Sequence, residues 1–91
     1  MIDYKTMFEK EEIRQIVLFL VGRKEDGISH PRLDYYCTTY GSQRITNIEL
    51  INLVKVMFKQ SEIIYNEHGG YKRGPEWWTP KFMSDKKYGI Q

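Results

Sequence analysis

The chain has one cysteine, three prolines and no long hydrophobic run, and each scarcity removes a class of protein. Cys37 alone can neither close an internal disulfide nor supply a thiolate cluster, so a disulfide scaffold and a cysteine-rich metal site are both excluded. The longest apolar run, at 16–21, is far too short to span a bilayer and follows an acidic stretch, Glu-Lys-Glu-Glu, rather than a basic one. Neither a signal peptide nor a membrane anchor is expected, and the chain reads as cytoplasmic. A strong charge of one sign is missing too. The formal charge of +2 is too small to argue for nucleic acid by net electrostatics. Its distribution is more informative: residues 1–42 carry six Lys/Arg against seven Asp/Glu, and residues 43–91 carry eight against five. An anion-binding surface is therefore expected in the second half.

Motifs of catalysis are also lacking. There is no Gly-x-Ser-x-Gly, Walker loop or His-Glu-x-x-His, and His30 and His68 lie 38 residues apart with no carboxylate at ligand spacing from either. Cys37 fits a small buried hydrophobe better than a reactive thiol. The expectation is a non-enzyme without metal or cofactor. What is present is a globular composition, 41% hydrophobic and 14% aromatic with 29% charged, in 91 residues, a length that supports one core and hence a single domain over 1–91.

Periodicity predicts three helices. Thr6 stands three residues before Glu9 as in a capping box, Ile13, Ile16, Val17 and Leu20 share a face, and Gly22 is a plausible stop. Leu18 and Phe19 fall outside that face, widening the apolar arc enough to suggest cover by a partner. After the charged turn 23–27, Ser29 can cap a second helix over 29–41 with Pro31 in its first turn, although the tyrosines and threonines there also suit a strand. Residues 45–60 read as the central core helix, capped by Thr46 or Asn47, with Leu50, Ile51, Leu53, Val54, Met57 and Phe58 on one side and Glu49, Asn52, Lys55 and Lys59 on the other. Two short strands, 62–66 and 76–82, are expected to form a hairpin with 67–75 as a long mobile tip, followed by an irregular tail.

The expected class is thus α+β, mainly α with a C-terminal β-hairpin. Three helices running into a hairpin resemble the winged-helix layout over roughly residues 7–80. That resemblance implies a DNA-binding regulator in which Gln43, Arg44, Thr46 and Asn47 reach base edges while Lys72 and Arg73 at the wing hold phosphates. Against it, Glu49 shares the polar stripe, and Gln43 to Asn47 are equally what a helix start requires.

Aromatic surplus supports another reading. Tyrosine, tryptophan and arginine dominate interface hot spots, and in a strand Trp77 and Trp78 must face opposite sides, so one plugs the core while the other lies outside. Either ring could be the outer one, and the C-terminal tail could cover it. In size, lack of motif and aromatic richness the chain resembles small bacterial immunity or antitoxin proteins. This implies a protein partner, a cognate toxin or other enzyme, blocked by contact with Trp77, Trp78, Tyr71, Lys72 and Arg73. The positive charge departs from the acidic substrate mimicry common in that class and favours blocking by shape. A homodimer through the same aromatics, or an RNA-binding module stacking bases on Tyr71 or a tryptophan, are the further alternatives.

Overall fold

Seven consecutive residues, 16–22, are buried in the computed structural model, which describes residues 1–42 and 44–91. They end α2 (Ile13–Gly22), and the rest of the chain is arranged to cover them. The other elements are α1 (Tyr4–Lys10), α3 (His30–Gly41), α4 (Asn47–Lys59), the strands β1 (Ile63–Tyr65) and β2 (Tyr71–Arg73), and one turn of helix, α5 (Lys81–Ser84). Half of the chain is helical, and the fold is mainly α with a two-stranded antiparallel hairpin, as expected. The described residues form five helices rather than three.

The predicted first helix is two helices. At about 100° per residue, Met7 and Phe8 fall on the side opposite Ile13, Ile16, Val17 and Leu20, so no straight helix could bury both sets. The chain instead becomes extended at Glu11 and Glu12 and starts again. Thr6 is not a cap. Asp3 caps α1, accepting bonds from the Thr6 amide at 3.1 Å and the Thr6 hydroxyl at 2.6 Å, which holds the Asp3 carboxyl below its usual range.

Residues 29–41 are helical, with Ser29 accepting from the Arg32 amide at 3.3 Å and Pro31 in the first turn. Tyr36 and Tyr40 on this helix pack against Tyr4, at ring centroid distances of 4.8 and 5.4 Å, and so join α3 to α1. Thr46 caps α4 in a reciprocal capping box with Glu49. The central core helix is α2 and not α4, which buries only Leu50, Val54 and Met57 and leaves Ile51 exposed. Nor does a partner cover Leu18 and Phe19. Both are buried within the chain, Phe19 lying 5.7 Å from the Phe82 ring.

At the end of α4, Ser61 takes a positive φ of 60°, its amide donates to the Phe58 carbonyl, and the Glu62 amide reaches back to Met57. This is a Schellman turn. It reverses the chain into β1, which pairs with β2 in the register Ile63 to Arg73, Ile64 to Lys72 and Tyr65 to Tyr71. The second strand is therefore Tyr71–Arg73 and not 76–82. The tip is shorter than expected, residues 66–70, organised by the Asn66 side chain, which accepts the His68 and Gly70 amides at 2.9 and 2.8 Å. Beyond β2 the chain turns at Gly74, whose carbonyl accepts the Trp77 amide, and lays Trp77 and Phe82 over α2 instead of continuing the ladder. The tail holds on to α1: the Asp3 amide donates to the Tyr88 carbonyl at 2.8 Å, and the Tyr88 hydroxyl donates to Glu11. No helix of the described residues is long and apolar enough to cross a membrane.

Gly27 closes the predicted Asp-Gly turn at a φ of +86°, and Ile28 beyond it exchanges two backbone hydrogen bonds of 2.8 Å with Tyr71. A Cβ on Gly27 would lie 1.7 Å from the Tyr71 carbonyl oxygen, a backbone atom that cannot step aside. Gly27→Ala is expected to destabilise the protein by about 2–4 kcal/mol, combining left-handed strain with overpacking. Chemical denaturation checks the value.

Candidate protein-binding site

The Schellman turn leaves Glu62 only 7% exposed, pointing at the first turn of α2. A carboxylate so placed needs partners, because an unpaired buried charge costs several kcal/mol. Arg14 supplies two, donating from Nε at 3.0 Å and Nη2 at 2.8 Å to Oε1. The third comes from Trp78, whose indole N–H donates to Oε2 at 2.8 Å. Among the described residues no buried side-chain nitrogen or oxygen lacks a partner. Glu62 and Arg14 went unremarked in the sequence. The available signal was an acidic residue just before an apolar strand, a place where a solvated carboxylate is the ordinary expectation.

This network decides the tryptophan pair. Trp77 is the inner ring: its indole N–H donates to the Leu18 carbonyl at 2.9 Å, and Arg73 lies over its face at 4.9 Å. Trp78 is the outer one, 42% exposed while tethered at its nitrogen. The different roles do not come from strand alternation, since neither residue is in a strand. On the hairpin, Ile64 is exposed opposite Lys72, and alternation puts it on the same side of the ribbon as Glu62. Trp78, tethered at Glu62 with the part-exposed Arg14 guanidinium on the same carboxylate, is thus an exposed ring beside one cation, whereas Lys72 lines a separate hollow with Glu25, Asp26 and Glu67.

The remaining predicted contact residues are placed otherwise. Tyr71 is 7% exposed, its hydroxyl sharing a 2.8 Å hydrogen bond with His30 Nδ1, so its ring cannot stack on a base or a partner without leaving the core. Arg73 donates from both Nε and Nη2 to the Gly22 carbonyl, where it closes the end of α2. It sits in β2 with Lys72, not on a mobile tip.

Comparison of the chain with models of protein families, with curated proteins and with solved structures finds no match. The site therefore rests on its own geometry.

The residues of the DNA-binding alternative are drawn into helix ends. Arg44 donates to the carbonyls of Phe8 and Glu11 at 2.5 and 2.6 Å, closing α1, and the Thr46 hydroxyl serves the capping box. Asn47 opens α4 on the exposed side, and Gln43 lies outside the described residues. Of the chemistry-bearing residues, Cys37 is 3% exposed, and burial, aided by the Asp34 carboxylate, pushes its thiol up to about 12. His30 is occupied with Tyr71 and His68 is exposed in the hairpin tip. No three His, Cys, Asp or Glu residues among those described are placed to hold a metal ion.

Removing the acceptor tests the network. Glu62→Ala strands the Arg14 guanidinium and the Trp78 N–H and is expected to cost about 2–3 kcal/mol of stability. Double-mutant cycles with Arg14→Ala and Trp78→Phe should show couplings of at least about 0.5 kcal/mol on both edges, because the three groups share one carboxylate.

Proposed function

We propose that the chain is a small non-enzymatic protein-binding module, an immunity-type inhibitor that acts in the cytoplasm by occupying and blocking a toxic bacterial enzyme. The observation that carries this reading is Trp78: a large aromatic left exposed, yet held at its nitrogen by a carboxylate that Arg14 in turn holds. A ring fixed before binding loses little entropy on docking, and tryptophan is among the residues enriched at interface hot spots. The balance of eight Lys/Arg against five Asp/Glu in residues 43–91 suits a partner with an acidic surface.

The winged-helix regulator remains the alternative, resting on Gln43, Arg44, Thr46, Asn47, Lys72 and Arg73. Two of its three cations, Arg44 and Arg73, are engaged with the chain's own carbonyls, which is why the inhibitor is preferred. The regulator predicts duplex DNA binding whose affinity falls steeply with salt. Titration of duplex between low and physiological salt is expected to show only the weak binding of a mildly basic protein.

The inhibitor reading predicts that a partner co-purifies with the chain and that Trp78→Ala weakens the complex by at least about 2 kcal/mol with the circular dichroism spectrum unchanged. Trp78→Phe should fall between, keeping ring area and losing the tether. Unchanged affinity in Trp78→Ala, measured by calorimetry, overturns the assignment.

A further inference from the structure

Two hollows adjoin at the C-terminal end of α2, one of about 850 Å³ and one of about 510 Å³, with Arg23 and Tyr36 in the wall of both. The smaller is also lined by Lys24 and Arg32, and the larger by Tyr35 and Tyr40. Cations and aromatic rings therefore border the same pair of hollows. Arg32, Tyr35, Tyr36 and Thr39 follow the i, i+3, i+4, i+7 spacing that places residues on a single side of a helix. Among the described residues the only ion pairs are Arg14 with Glu62 and Lys81 with Asp85, so Arg23, Lys24 and Arg32 have no carboxylate partner. Asp26 is the one carboxylate in the wall of the smaller hollow, set against three cations.

Some of this face belongs to the fold. Tyr4, Tyr36 and Tyr40 join α1 to α3, and Arg23 lies over the Phe19 ring at 5.5 Å while donating to the Tyr4 hydroxyl at 2.5 Å, which aims it and leaves most of its five N–H donors unused. The other part is surplus to folding. Tyr35 is 60% exposed and meets the Tyr36 ring edge-on, at 5.8 Å and 73°, while Lys24 and Arg32 are exposed.

We propose that single-stranded nucleic acid binds across this face, its phosphates at Arg23, Lys24 and Arg32 and a base stacked on Tyr35. Phosphate contacts supply affinity and stacking on an exposed ring supplies the preference for unpaired bases, since a duplex keeps its base faces inside the stack. The residues differ from the Tyr71 and tryptophan platform considered from sequence. They are also separate from the Trp78 site: Arg14 and Arg23 stand nine residues apart at the two ends of α2, about 13 Å along its axis. Either assignment can fail without the other.

The test is fluorescence anisotropy with a labelled pyrimidine oligonucleotide of about ten nucleotides, against the same sequence as a duplex and against inorganic polyphosphate as competitor. The strand is expected to bind at least about tenfold more tightly than the duplex. Tyr35→Ala should weaken strand binding about tenfold while Tyr35→Phe retains it, because stacking needs the ring and not the hydroxyl. Lys24→Gln and Arg32→Gln should each lower the slope of log affinity against log salt by about one, and Trp78→Ala should leave binding unchanged. Equal affinity for duplex and strand, full displacement by polyphosphate at equal charge, or an unaltered affinity in Tyr35→Ala each overturns the proposal. If Tyr35→Ala disturbs the fold, Tyr35→Leu serves in its place with the same expected loss.

Discussion

A helix that is apolar on every side has to be wrapped, and this requirement of α2 governs the rest of the molecule. A single helix packed against α2 would cover one stripe and leave Leu18, Phe19 or Val21 in water. Burying each such side chain fully is worth about 1.5–3 kcal/mol, so uncovered residues would forfeit much of the stability available to a domain of this size. The cover comes from α1 immediately before it and from two parts distant in sequence, the hairpin after α4 and the segment carrying Trp77 and Phe82.

Wrapping brings helix ends into the interior, and helix ends carry unsatisfied carbonyls. Two arginines answer them. Arg44 closes α1 at Phe8 and Glu11, and Arg73 closes α2 at Gly22 while resting on the Trp77 ring. A guanidinium is suited to this task because several donors fan out in one plane and the positive charge lies favourably against the negative end of the helix dipole. The same two arginines stand out in the sequence as nucleic-acid contacts, since basic residues near a helix start and a glycine-rich turn look alike whether they serve a ligand or the chain's own backbone.

Once these are assigned to the fold, the groups left over fall at the two ends of α2. At the N-terminal end, Glu62 is fully engaged and Trp78 stands out from it as an exposed ring. At the other, cations without carboxylate partners border exposed tyrosines on α3. Exposed aromatic area that contributes nothing to the core is costly for a small chain to display, which makes these two places the best candidates for binding.

Local chemistry by itself determined a good part of this protein. Ser29 with Pro31, Thr46 as one of two candidate caps, and Asp26-Gly27 each mark a helix start or a turn through contacts within a few residues, and each is found where the sequence places it. The break between α1 and α2 was legible too, in the opposite phases of Met7 and Phe8 against Ile16 and Leu20, although the periodicity within 13–22 masks it. Only the tertiary structure decided what the tryptophans do. Residues 76–82 have strand propensity, but covering Leu18 and Phe19 outweighs a few ladder hydrogen bonds, so the chain turns at Gly74 and lays Trp77 on α2. Which ring stays outside then follows from Glu62 and Arg14, separated by 48 residues in sequence. No local pattern encodes a contact between groups that meet only after the fold has closed.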